Sequence, residues 1–264
     1  MNRTQVKDNA RKHEAMVEKL FQTQIQQSIE ETIVYDQDSF NDKSKNNFTK
    51  LAQQIVWPLA TDQAVIKAFK TYKGQKIAAL NFASYTNPGG GFLNGAMAQE
   101  EAICAQSDLY PVISSQKNFY DWNKRHLNQK MYLNRALYSP DILWGTSTVP
   151  QGKSAVITCA APNKSAGRRL VEDKEAQMKF ESNANSAMLS RMNFVKQIAE
   201  EQKVNVLILG AWGAGVFGFT ADEVAKMWRR VFAQTSSIEI VIYAIIPDKR
   251  SNQAVRAFKD VFEK

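Results

Sequence analysis

Two short apolar runs, each ending in a glycine-rich turn that leads towards a helix, restrict the fold of this chain more than any other feature. The first run, Lys76-Ile77-Ala78-Ala79-Leu80-Asn81-Phe82, precedes Asn87-Pro88-Gly89-Gly90-Gly91. The second, Val204-Asn205-Val206-Leu207-Ile208-Leu209, precedes Gly210-Ala211-Trp212-Gly213-Ala214-Gly215-Val216-Phe217-Gly218. Runs that are apolar along most of their course fit strands covered on both faces. Further strands are expected at 131–138, 155–159 and 238–244. Helical patterns lie between them: 63–71 behind Thr61-Asp62, 99–108, and a long, possibly divided stretch at 169–202. Two more start near Ala221 and at residue 250. Strands that alternate with helices imply an α/β fold with helices on both faces of one sheet.

Residues 1–60 read differently. Ala15, Met16, Leu20, Ile25 and Ile29 recur at loosely helical spacing within 5–31, and Thr32-Ile33-Val34-Tyr35 is β-like. Residues 36–50, rich in Asp, Asn, Ser and Lys, read as a loop or a partly exposed helix. The expected division is an N-terminal, mainly helical accessory segment over 1–60 beside a main domain over 61–264.

Composition removes several chemistries. Two cysteines, Cys104 and Cys159, are too few for a disulfide framework or a cysteine zinc site, and both read as free buried thiols. Two histidines far apart, His13 and His126, do not suggest a metal centre or a serine–histidine triad, which leaves carboxylates to carry the chemistry. No metal and no cofactor are expected. No run of about 18 apolar residues exists to span a membrane, and the polar start of the chain lacks the apolar core of a signal peptide. A cytoplasmic, monomeric protein is expected. The net charge of +8 favours polyanions, but the basic residues are spread along the chain, so a nucleic-acid partner is not expected. The run Lys164-Ser165-Ala166-Gly167-Arg168-Arg169 reads as solvated loop charge before a polymer contact.

In α/β sheets the ligand sits beyond the carboxyl ends of the strands, where both glycine turns would lie. Glycine lets the backbone approach a phosphate and aim N–H groups at it. Neither turn is a Walker A loop, and neither has the dinucleotide spacing. Phe217 is placed to stack on a sugar or base, and Trp212 reads as structural. After a seven-residue spacer, Phe92 to Ala98, comes Gln99-Glu100-Glu101. Acidic residues at a helix start are commonplace, because they complement its dipole. Adjacent helical residues also project about 100° apart, so Glu100 and Glu101 would not form a symmetric pair. Triple glycine, short spacing and Gln-Glu-Glu together make a more specific pattern.

That pattern resembles the bacterial-type poly(ADP-ribose) glycohydrolases, whose core is a macrodomain. The resemblance extends to Asn81-Phe82-Ala83-Ser84, Leu109-Tyr110-Pro111, Ile157-Thr158-Cys159-Ala160-Ala161-Pro162-Asn163 and the second glycine turn, over about 75–248. It implies a macrodomain-like mixed sheet and hydrolysis of the ribose–ribose bonds of poly(ADP-ribose). Glu101 would be the catalytic acid, and Glu100 would hold hydroxyls of the terminal ribose. Asn87, Gly89, Gly90, Gly91 and Gln99 would contact the substrate. Gly213, Ala214, Gly215 and Val216 would wrap the diphosphate, with Phe217 against the terminal ribose. The chain departs from the pattern at Gly218-Phe219-Thr220, where polar residues and a proline are expected, and at Ala214, where cysteine is common. The same resemblance admits an ADP-ribose-binding macrodomain or a hydrolase of single ADP-ribose units on proteins.

Overall fold

A computed structural model describes residues 2–40, 48–145, 148–248 and 251–263. The chain opens with α1 (Arg3–Leu20), α2 (Gln22–Glu31), β1 (Ile33–Asp36) and β2 (Gln53–Trp57). It continues through α3 (Thr61–Thr71), β3 (Ile77–Phe82), α4 (Gln99–Cys104), α5 (Leu109–Ser114) and α6 (Lys117–Arg125). Then come β4 (Arg135–Trp144), β5 (Gly152–Cys159), α7 (Lys164–Arg168) and α8 (Lys174–Glu201). The last elements are β6 (Val206–Leu209), α9 (Ala221–Val231), β7 (Ile240–Ala244) and α10 (Gln253–Phe262).

Seven strands form one sheet in the order β1-β4-β5-β3-β6-β7-β2. The pairs from β5 to β2 are parallel, and β4 pairs antiparallel with both β1 and β5. The sheet is therefore mixed, as expected. Side chains alternate across it with the period of a strand. Ala78, Leu80, Leu207, Val241 and Tyr243 enter a core with α8, α9 and α10. Ile77, Ala79, Ile208 and Ile242 enter a second core on the other face, with α3, α4, α5 and α6. Ala10 of α1 and Ile25 of α2 are buried in that second core. Both outer strands, β1 and β2, come from residues 1–60. A division at residue 60 thus separates these strands from the sheet they extend.

Several elements differ from the sequence reading for local reasons. The strand expected at 131–138 is shifted to Arg135–Trp144. Asn128, Gln129, Lys130 and Tyr132 take left-handed φ values of 44° to 69°, outside the extended region of a regular strand. Farther on, Pro140 and Asp141 look like a strand end but are absorbed by a register shift between Ser139 and Ile142. The helix expected over 99–108 stops at Cys104. Residues 174–201 form one helix, capped by Asp173 on the Ala176 amide at 2.9 Å and free of Gly and Pro. The basic run at 164–169 is not a loop. Asn163 caps a short helix there, and the half-buried Lys164 lies 3.4 Å from Glu223. Of the stretch 36–50, residues 37–40 form turns, and 41–47 lie outside the described residues. Cys104 and Cys159 are free and buried. No described helix is long and apolar enough to cross a membrane.

Candidate active site

The three strands β5, β3 and β6 are parallel neighbours, so the loops that leave their carboxyl ends share one edge of the sheet. Their bases touch: a β-carbon on Gly210, just after β6, would lie 2.9 Å from the ring of Phe82, which ends β3. One on Gly213 would lie 3.2 Å from Ala161, just after β5. The sequence-predicted loops are therefore adjacent in space.

The first loop is built around the two glutamates of α4. Both are almost fully buried. Glu101 accepts hydrogen bonds from the Gly91 amide at 2.8 Å and the Ala98 amide at 2.9 Å. The second bond is half of a capping box, with an alanine at the cap that has nothing to return. The ordinary explanation of an acid in a first turn and the functional one thus apply to the same side chain. Glu100 accepts from the Asn81 amide group at 3.2 Å and the Ser84 backbone N–H at 2.7 Å. Burial pushes its carboxyl up to about 8, even though those hydrogen bonds act to lower it. Cys104 lies deeper still, and burial raises its thiol well above the ordinary range, which makes it an inert core residue.

Both carboxyl groups converge on Gly90, contrary to the divergence expected of adjacent helical positions. A β-carbon there would lie 2.5 Å from Glu101 Oε1 and 3.1 Å from Glu100 Oε2. The side chains bend towards the loop because its amides supply their hydrogen bonds. Gly89 and Gly90 have φ values of 66° and 59°, and a β-carbon on Gly89 would meet the Tyr110 ring at 2.5 Å. The triple glycine is required first by this close packing, before any ligand is considered.

Asn87 projects into solvent at the tip of the loop, with its amide N–H on Ser84 Oγ at 3.2 Å. Gln99 has a different place from the substrate contact expected of it. Its Nε2 donates to the Leu80 carbonyl at 2.9 Å and to Thr61 Oγ1 at 3.2 Å, and its Oε1 accepts from Phe82 N–H at 2.8 Å. Both ends of that amide pin α4 to β3. Sequence reasoning sets Asn81 and Ser84 in the stretch that carries the resemblance and Thr61 at a helix start, but gives none of them this bracing role. No periodicity marks them, since their role depends on where the carboxylates and Gln99 arrive.

The second loop is open. Trp212 anchors it, 1% exposed and stacked on Trp228 with ring centroids 6.1 Å apart. Beyond it Gly213, Gly215 and Gly218 have φ values of 82°, 78° and 93°. No described residue lies within 4 Å of a β-carbon on Gly215, and Val216 is 86% exposed. The backbone amides of Gly213, Val216 and Phe217 have no acceptor among the described residues. Phe217 is partly buried against the core, and its carbonyl accepts from Ser165 N–H at 3.0 Å. Free amides beside left-handed glycines form a concavity suited to an anion. Among the described residues, no group of three or more His, Cys, Asp or Glu is placed to hold a metal.

Residues 5–146 match the family model described as the catalytic domain of microbial-type PARG, the poly(ADP-ribose) glycohydrolases. The chain belongs to this family. It is a glycosidase of the poly(ADP-ribose) glycohydrolase type. The match begins at residue 5, so it takes in the N-terminal region that the sequence motifs left outside the resemblance. The poly(ADP-ribose) glycohydrolase of Thermomonospora curvata has a similar fold, with a TM-score of 0.84 and 24% identity over 98% of this chain and 100% of that one. Its structure bound to the inhibitor ADP-HPD gives 0.83 and 23%, over 97% and 99%. The Deinococcus radiodurans enzyme in complex with ADP-ribose gives 0.76 and 27%, over 90% and 97%. No curated protein matches the sequence.

Proposed function

We propose that this member of the family cleaves poly(ADP-ribose) with Glu101 as the only proton-transfer group, acting first as acid and then as base. The observation that carries this reading is the convergence of the two carboxyl groups on Gly90, with Glu101 hydrogen-bonded, among the described residues, only to backbone amides. The ribose–ribose bond breaks as Glu101 gives its proton to the departing ribose oxygen. The oxocarbenium-like carbon is then attacked by water, whose proton returns to Glu101. A ring hydroxyl is formed, ADP-ribose leaves, and the acid is restored.

Most glycosidases divide these duties between two carboxylates about 5–9.5 Å apart. Here Glu100 is already held by Asn81 and Ser84, and burial keeps its proton on near neutral pH. In this reading it fixes the loop and offers a hydrogen bond to a ribose hydroxyl beside Gly90. The second glycine loop holds the diphosphate on its free amides, and Phe217 packs against the terminal ribose. Asn87 reaches the same sugar from the exposed tip of the first loop. In this reading the enzyme acts as a monomer and calls on neither metal nor nucleic acid.

The test is auto-modified poly(ADP-ribose) incubated with the protein and with Glu101→Gln, with free ADP-ribose followed by chromatography. A positioned acid contributes about 10²–10⁴-fold, and the variant should lose that much in kcat while still binding ADP-ribose. Turnover near the wild-type rate in the variant would remove Glu101 from its role.

A further inference from the structure

A cleft of about 600 Å³ lies on the flank of α4, and none of its lining residues comes from 210–218. One wall is α4, through Glu101, Ala102 and Ala105, and the other is the face of α1 that carries Lys12, His13 and Met16. We propose that this groove receives the departing part of the polymer, the nucleoside diphosphate-ribose unit whose ribose oxygen takes the proton from Glu101. The proposal rests on the reading of Glu101 as the acid.

The first argument is position. A general acid donates to the oxygen of the leaving group, so that group must lie against the acid. Glu101 faces the glycine loop with its carboxylate and also lines the groove. Size agrees, because sites for ligands as large as a nucleotide span about 300–1,000 Å³.

Chemistry agrees as well. Met97 is 73% exposed at the mouth of the groove, and Met16 lines it from the opposite wall. Flexible thioethers adapt to flat aromatic surfaces such as a purine. Lys12 is exposed and forms no ion pair with any described residue, so its charge is available to a diphosphate.

The wall is also fixed in place rather than resting loosely. His13 Nε2 donates to the Ser107 carbonyl at 2.8 Å, since a carbonyl can only accept. Arg3 Nε donates to the Asn94 carbonyl at 3.1 Å. A β-carbon on Gly95 would lie 2.5 Å from the Arg3 carbonyl oxygen. The Arg3 contacts tie α1 to the spacer between the triple glycine and Gln99, and the His13 bond ties it to the segment after α4.

Lys12→Glu and Met97→Glu alter exposed positions and should leave the fold intact, which thermal unfolding checks. Each is assayed on poly(ADP-ribose) and on the methyl glycoside of ADP-ribose, which has the same bond but no nucleotide to place in the groove. On the polymer, kcat/KM should fall roughly tenfold, the worth of one charge-assisted hydrogen bond, and Lys12→Arg should keep most of the rate. On the methyl glycoside the rates should hold. Equal losses on both substrates, or none on the polymer, would overturn the proposal. Glu101→Gln reports separately on the underlying reading: inactivity on both substrates supports it, and activity on both removes it.

Discussion

The two glycine loops are alike in sequence and opposite in construction. In the first, the glycines exist to let protein approach protein: Gly89 against Tyr110, Gly90 against both glutamates, Gly91 against Ala96. Its amides and carboxylates satisfy one another before any substrate arrives. In the second, Gly215 faces open space, Val216 is exposed and three amides lack acceptors among the described residues. A preformed loop that holds the acid and an open one that waits for an anion divide the work of the site. Preorganisation is most valuable where charge moves, and a diphosphate can complete the rest on binding.

This contrast can be broken most directly with two alanines. Gly90→Ala places a methyl group against Glu101 Oε1 at a left-handed position. Displacing the acid by about 1 Å should lower kcat on the order of 10²-fold. Gly215→Ala meets no neighbour and should cost about 1–2 kcal/mol of backbone strain, read by thermal unfolding, while kcat stays near wild type. Similar kcat losses in both variants would erase the distinction.

A smaller effect is expected at Phe217→Ala. Removing an aromatic ring whose packing on the sugar is worth about 0.5–1.5 kcal/mol should raise KM roughly two- to tenfold and leave kcat little changed. A kcat loss as large as that of Gly90→Ala would show that the second loop also positions the acid.

A last effect is read in stability rather than in turnover. Glu100 binds its proton more tightly folded than unfolded, because burial lifts its carboxyl from 4.5 to about 8. Its contribution to stability is therefore fullest below about pH 4.5 and is lost as pH rises through about 8. Asp108, raised by burial to about 7, acts in the same direction over a lower window. Denaturant unfolding between pH 5 and 8 should show stability falling with pH, and Glu100→Gln should flatten that slope. An unchanged slope in the variant would assign the dependence to Asp108 or elsewhere.

The sheet's centre is legible in the sequence because buried parallel strands write themselves as apolar runs, and β3 and β6 do so without ambiguity. Its edges are less so. β1 shows as the β-like Thr32-Ile33-Val34-Tyr35, but β2 mixes polar with apolar residues, and the place of both in the sheet depends on partners far along the chain. β4 lies away from its expected place because left-handed residues at 128–132 look no different in sequence from extended ones. In the site, triple glycine, spacing and Gln-Glu-Glu together mark Glu100 and Glu101 through the family resemblance, but not the way they bend back onto Gly90. Gln99 shows the limit most clearly: the motif marks it as functional, and the structure uses it to pin a helix to a strand. Motif membership reports that a residue matters to the site, not which side of the site it faces.

The attachment of α1 to the spacer through Arg3, Asn94 and Gly95 makes the start of the chain a handle on the chemistry. A fluorophore on the exposed Asn2 would sit one residue from that attachment, far in sequence from Glu101 yet mechanically coupled to the segment that carries it. Any shift of the spacer during turnover should be readable there as a change in probe mobility, without a label in the substrate or the cleft.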